Sequence, residues 1–229
     1  MCKDKTKVLF FANYNCQYSQ QALEHLKHLG FDVQVVLSKN RDESLPTDID
    51  KWSGEYILCF RSYFIIPKYL IDRASIAAIN FHPAPTEYPG SGSLNWALYE
   101  NAQTYGATAH LMNENIDNGA ILECRRFPIL LQDNVLTLME RSHSKTFDLF
   151  VDITIGLALE GKSFLEKKLH ASSKEKWSGQ ARKMFEIDRL QIVDPNCSKE
   201  ELEQLIRSTY TPNFPLEIHL HGYRFVLKI

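Results

Sequence analysis

The chain has 229 residues, 26 Lys and Arg against 28 Asp and Glu, a formal net charge of -2, and 44% hydrophobic with 24% charged residues. That is ordinary globular composition, long enough to bury a full core, and it argues for one main domain with a small appendage. A nearly neutral chain has no broad electrostatic attraction for nucleic acid or an acidic membrane, so neither is expected as a partner.

Cys2, Cys16, Cys59, Cys124 and Cys197 are far apart, odd in number and without Cys-x-x-Cys spacing, which argues against a disulfide framework and for a reducing compartment. Met1 to Lys7 has neither the apolar region nor the cleavage site of a signal peptide, so a cytoplasmic location is expected. The longest apolar stretch, Phe147 to Leu159, contains Asp148 and Asp152 and falls short of the roughly 20 residues that span a bilayer. It reads as a buried helix.

Lys7 to Ala12 is an apolar run, Ser19 to Leu29 has helical periodicity closed by Gly30, and Phe31 to Leu37 is strand-like, which makes a β-α-β opening. Arg41 to Asp50 is polar and predicts a loop. Tyr56 to Phe60 and Ser75 to Ile79 read as buried strands around a short helix begun by Pro67. This alternation predicts an α/β fold, a Rossmann-like, mainly parallel sheet with helices on both faces. Leu94 to Asn101 predicts a helix, Ala107 to Met112 a strand, and Ile121 to Leu131 a further strand or a pair of short ones. Asp133 or Asn134 can cap a long helix from Val135 to Glu160, which Gly161 would end. Lys162 to Lys183 is charged and predicts a wrapping or linking segment. Ser198-Lys199-Glu200-Glu201 is a capping-box pattern, and Leu216 to Ile229 alternates around His221-Gly222 as a hairpin does. The expected division is a catalytic domain over 1–175 and a small C-terminal helix and β-hairpin unit over 176–229.

Asn80 and His82, in Ile79-Asn80-Phe81-His82-Pro83, fall at the carboxyl end of a predicted strand, where open α/β sheets place their ligand crevices. With Asp117 downstream they offer an amide donor, an imidazole and a carboxylate, a set suited to acyl transfer to an amine. The amide of Asn80 can donate to an acyl oxygen as negative charge develops there. His82 can add to that stabilisation or accept the ammonium proton, and Asp117 can orient His82. Gly90-Ser91-Gly92 reads equally well as a flexible turn or as a loop that lets phosphate approach the backbone. His110 is expected to pack within its strand, and His25 and His28 to lie on a helix surface. His219 and His221 share a strand face but have no evident third ligand, so no metal is expected. No Gly-x-Gly-x-x-Gly follows the first strand, which argues against a dehydrogenase.

The order Asn-x-His-Pro, Pro/Gly loop, Gly106-Ala107-Thr108-Ala109-His110, then Ile116-Asp117-Asn118-Gly119 resembles the folate-dependent formyltransferase family over roughly Lys7 to Leu131. Within it, Ser93 to Leu98 and Gly106 to Met112 look most like enzymes that formylate nucleotide-linked amino sugars. The resemblance implies 10-formyltetrahydrofolate as co-substrate and Asn80, His82 and Asp117 as the catalytic set. It implies Ser62, Tyr63, Phe64 and Ile65 on one wall of the folate pocket, with Asn113, Asn115 and Ile116 on the other. Tyr88, Gly90, Ser91, Gly92 and Trp96 would then face the nucleotide-linked sugar. The implied acceptor is a dTDP-4-amino-4,6-dideoxyhexose, with dTDP-4-amino-4,6-dideoxyglucose as the specific expectation, for surface polysaccharide (O-antigen) synthesis. Glycinamide ribonucleotide formylation, and a folate or nucleotide-sugar binding module without turnover, are the alternatives. The short unit after Lys176 weakens a tRNA reading. An exposed apolar face on the hairpin or the long helix would allow a homodimer.

Overall fold

A computed structural model describes residues 5–178 and 180–228. Cys2 and Ile229 lie outside these residues. Six strands form the central sheet: β1 (Lys7–Asn13), β2 (Asp32–Ser38), β3 (Gly54–Phe60), β4 (Ala74–His82), β5 (Thr104–Leu111) and β6 (Ile121–Pro128), in the order β2-β1-β3-β4-β5-β6. The pairs β1–β2, β1–β3 and β3–β4 are parallel, whereas β5 runs against both of its neighbours. The sheet is mainly parallel, as the alternating pattern predicts. The reversal of β5 was not legible, because a single strand reads the same in either direction.

In β1, Val8, Phe10 and Ala12 point to one face and Leu9 and Phe11 to the other, and all are fully buried. Such two-sided burial explains the continuous apolar run. The first face is covered by α1 (Gln17–His28), α4 (Val135–Glu160) and α5 (Lys162–Ala171). Phe150 of α4 sits at its centre, with ring centroids 5.7, 5.2 and 4.8 Å from Phe10, Phe60 and Phe81. Truncating a buried aromatic of this kind costs about 3–5 kcal/mol. The second face is closed more thinly, by a 3-10 turn over Thr47–Lys51, by Trp52, and by the single-turn α2 (Lys68–Ile71). The polar stretch expected to be only a loop therefore contains a turn whose Ile49 plugs the core.

Asn134 caps α4: its side chain accepts from Leu136 and Thr137 amides while the Thr137 hydroxyl receives the Asn134 amide. A cap of this type is worth about 1 kcal/mol. The charged segment after Gly161 is helical rather than a linker as far as Ala171, because Leu165 and the partly buried Phe164 and Leu169 recur on one face. His25, expected on the helix surface, is partly buried. Its Nε2 lies 3.0 Å from the Thr154 hydroxyl and its ring edges against Phe150, so burial lowers its pKa.

After β4 comes α3 (Ser93–Tyr99), and beyond α5 lie α6 (Met184–Leu190), α7 (Lys199–Thr209) and the hairpin β7 (Glu217–Leu220) and β8 (Tyr223–Val226). The capping box at Ser198 and the His221-Gly222 turn, with φ of 51° and 83°, match the sequence reading. Asn95 donates to the Ser208 carbonyl at 2.7 Å, and Gln204 donates to the carbonyls of Leu98 and Tyr99, which docks α7 on α3. Among the described residues no helix is long and apolar enough to cross a membrane.

Candidate active site

Asn80 and His82 flank Phe81 at the end of β4, so their side chains share the face opposite that core residue. Because β5 is antiparallel to β4, His110 stands directly across from Asn80 and Thr108 across from His82. Asp117, at a φ of 45°, turns its carboxylate back over this face from the 112–120 loop. Its Oδ2 lies 3.3 Å from His82 Nδ1 and accepts the Gly90 amide at 2.9 Å. Its Oδ1 lies 3.3 Å from His110 Nε2 and accepts Asn80 Nδ2 at 3.2 Å. The structure thus brings together the three residues singled out in the sequence and adds His110, which had been expected only to pack.

The side chains of His82, His110 and Asp117 are 8%, 3% and 7% exposed. Burial alone would raise the Asp117 pKa. The charge of His82, the hydrogen bond and charge of His110 and the Gly90 amide outweigh it and hold the carboxyl well below the usual range. The group is a carboxylate clasped by two imidazoles.

His82 Nε2 lies 3.0 Å from the Tyr88 carbonyl oxygen. A carbonyl only accepts, so in this arrangement Nε2 carries a hydrogen, an assignment made from its partner. For Nε2 to take a proton from an amine, the Tyr88 carbonyl has to move off it.

A strap formed by residues 172–178 and 180–183 crosses this cluster, in the segment that the sequence predicts to wrap or link. Thr86 donates to Glu175 at 2.7 Å, and Arg126 bridges Glu175 and Glu87. Ser178 N donates to the Thr86 carbonyl and Ser91 N to the Arg182 carbonyl. Between these ties Trp177 sets its ring across His110, with centroids 4.9 Å apart at 86°, and 5.9 Å from His82, while its Nε1 donates to the Gly119 carbonyl at 2.8 Å. The one sequence signal for Trp177 is an aromatic ring among charged and polar neighbours.

The other expected site residues divide. Ser62 is engaged locally, bonding Ser38 Oγ at 3.3 Å and capping Phe64 N at 3.2 Å. Phe64 packs edge-on to Phe11, and Tyr63 lies under the Arg41 guanidinium. Ile65 and Ile116 are 75% and 55% exposed, apolar groups free to cover a flat ligand. Asn113 accepts the Asn115 amide, and both line a surface cleft with Lys68, Ile71, Asp72, Met112 and Glu114. Tyr88 turns its ring to Tyr105 and its hydroxyl to Glu100, away from the cluster. Trp96 is covered by the Arg182 guanidinium, 4.1 Å from its ring centre. Gly90 and Gly92 both have positive φ, and a Cβ on them would meet Arg182 O at 2.5 Å and Ile187 Cγ1 at 2.6 Å. These glycines admit the strap and α6. Ser91, bonded to Arg182, belongs to the same junction.

Residues 16–154 match the sequence profile of the formyl transferase family. The chain is 25% identical over 187 residues to the GDP-perosamine N-formyltransferase of Brucella melitensis, covering 80% of this chain and 68% of that protein. It is 28% identical over 128 residues to the methionyl-tRNA formyltransferase of Thermosynechococcus vestitus, and spans only 38% of that protein's length. In fold it is similar to a sugar N-formyltransferase from Shewanella sp. FDAARGOS_354, with a TM-score of 0.72, 20% identity, and 98% and 97% of the two chains covered. It is similar too to an N-formyltransferase from Helicobacter canadensis, solved with folinic acid and dTDP-3-aminofucose, with a TM-score of 0.71, 15% identity, and 95% and 85% covered. With more than half its length matched by the profile, this chain belongs to the formyl transferase family.

Proposed function

We propose that this protein is an N-formyltransferase that moves the formyl group of 10-formyltetrahydrofolate to the amine of a nucleotide-linked amino-deoxy sugar. The observation that carries the reading is the Asp117 carboxylate joining Asn80, His82 and His110 at the mouth of the sheet. The folate fits the residues present: Ile65 and Ile116 offer apolar surface beside a cleft that Asn113 and Asn115 line. When bound it supplies an activated formyl carbon. The amine lone pair attacks that carbon, the carbonyl electrons move to oxygen, and collapse returns them as the bond to the folate nitrogen breaks. The proton lost by the amine ends on the departing folate nitrogen. In this reading Asn80 stabilises the oxyanion, His82 relays the proton once the Tyr88 carbonyl shifts, and Asp117 holds His82. Loss of the Asn80 donor should cost roughly 10²–10³-fold in turnover.

The acceptor we favour is dTDP-4-amino-4,6-dideoxyglucose, serving O-antigen synthesis in the cytoplasm. The four described cysteines are free thiols, which suits that compartment. The Brucella relative favours testing GDP-linked sugars beside it. A panel of dTDP-, UDP- and GDP-linked amino sugars with 10-formyltetrahydrofolate, read by mass, tests the reading: one added formyl group identifies the acceptor, and no addition to any member refutes it. We further place a homodimer contact on the hairpin, where Leu220, Tyr223, Phe225 and Val226 are 42%, 72%, 55% and 40% exposed. Tyr223→Glu should yield a monomer by sedimentation if that contact exists.

A further inference from the structure

We infer that His110 is a positioning residue that decides whether the Asn80 amide has a free N–H for the formyl oxygen, an inference that rests on the formyl-transfer reading above. Asn80 Nδ2 carries two hydrogens. One faces Asp117 Oδ1 at 3.2 Å and the other His110 Nε2 at 3.1 Å. The opposite amide orientation would set an oxygen against the carboxylate, so the partners fix this one. His110 Nδ1 lies 2.9 Å from the Leu111 carbonyl oxygen and therefore carries a hydrogen whatever the state of the ring.

Nε2 then has two states. As a lone pair it accepts the second Asn80 hydrogen, and both hydrogens are spent inside the cluster. As an N–H it donates to Asp117 Oδ1, 3.3 Å away, and can no longer accept from Asn80. One Asn80 hydrogen is released and can point at the reacting formyl oxygen. His110 touches neither substrate in this scheme. It acts through Asn80, and Trp177 closes its outer side.

The groups around His110 allow the coupling to be read separately. Asp117 faces it directly, and His82 faces the far oxygen of that carboxylate. Cys59, which pairs with Asn80 from β3, is a neutral thiol whose pKa burial pushes up to about 12. Trp177 and Gly119 are uncharged.

Nuclear magnetic resonance of the whole protein tests this without any substrate. The side-chain amide hydrogens of Asn80, assigned by their loss in Asn80→Ala, should shift with pH along the same curve as the ring proton of His110. The shift should vanish in His110→Gln. Constant Asn80 signals, or a shift that follows His82 and survives His110→Gln, would overturn the inference. The wild-type comparison decides even if the variant does not fold. Where the variant folds and the wild type is active, His110→Gln should lower kcat about 10- to 100-fold, short of outright loss of an oxyanion donor, and leave both KM values within about twofold. The kcat–pH profile should also lose one step, and an unchanged profile shape counts against the coupling. If the wild type formylates no acceptor while Asn80 and His110 titrate together, the formyl-transfer reading falls and the coupling stands.

Discussion

Trp177 donates its indole hydrogen to the Gly119 carbonyl at 2.8 Å, and by that bond the strap grips the loop that carries Asp117. Trp177→Phe keeps most of the ring and deletes the bond, an expected loss of about 1 kcal/mol. Trp177→Ala also uncovers His110. Turnover should fall more steeply than stability, because misplacement by about 1 Å can cost roughly 10²-fold. Steady-state kinetics beside thermal unfolding checks this: equal losses in both would make Trp177 a packing residue only.

Asp117→Asn keeps shape but removes the anion between the imidazoles. Turnover should fall by about 10²–10⁴-fold, as should that of His82→Asn. Because the folded carboxyl titrates below its ordinary 3.8, the unfolded chain binds more protons there, and stability falls with falling pH. The benefit of the charge is whole above pH 3.8 and declines as pH drops towards the depressed folded value. Urea unfolding of wild type and Asp117→Asn should therefore converge in strong acid and diverge near neutrality.

His143, buried on α4, has its pKa lowered to about 3 by burial and then by the Arg61 charge. The unfolded imidazole titrates near 6.5, so between pH 6.5 and about 3 the unfolded state holds the extra proton. Stability contributed by the neutral ring is complete above that window and is lost on acidification, on the order of 3 kcal/mol by pH 4. His143→Gln should flatten the fall in unfolding free energy between pH 6.5 and 4. A slope matching wild type would show that another group controls it.

Gly119 cannot accept a side chain, since a Cβ would lie 1.6 Å from the Leu111 carbonyl oxygen. Gly119→Ala must displace the loop and should cost turnover at least as much as Trp177→Ala. Gly222→Ala, on the open hairpin turn, meets nothing within 4 Å and should leave turnover unchanged despite its strained φ of 83°. Gly90→Val should not discriminate between folate and sugar, because Gly90 abuts Arg182 and bonds Asp117. Titration of each variant with tetrahydrofolate, beside kinetics, separates loop displacement from loss of the fold.

The strands and capped helices were legible because they depend on short-range periodicity and on local caps such as Asn134 and Ser198. Asn80 and His82 were legible as a pair, since residues two apart in a strand share a face. His110 was not. Its approach to Asn80 needs the antiparallel register of β5, and nothing inside the strand records that direction. Trp177 was missed for a related reason: its partners, His82, His110 and Gly119, are remote in the chain. The close contacts of Gly90 with Arg182 and of Gly92 with Ile187 were not legible, because a glycine's sequence neighbours do not show which remote backbone or side chain packs against it.

The strap also orders events in time. Its ties reach Thr86, Gly119 and Pro89, positions set only once β4, β5 and the loop beyond them have met. Closing such long sequence separations is slow relative to local helix formation. During refolding from denaturant, far-ultraviolet signal should recover before the part of the tryptophan fluorescence that is lost in Trp177→Phe, and turnover should return with that part rather than with the sheet. Its catalytic competence is thus the final product of folding, acquired after the architecture that houses it.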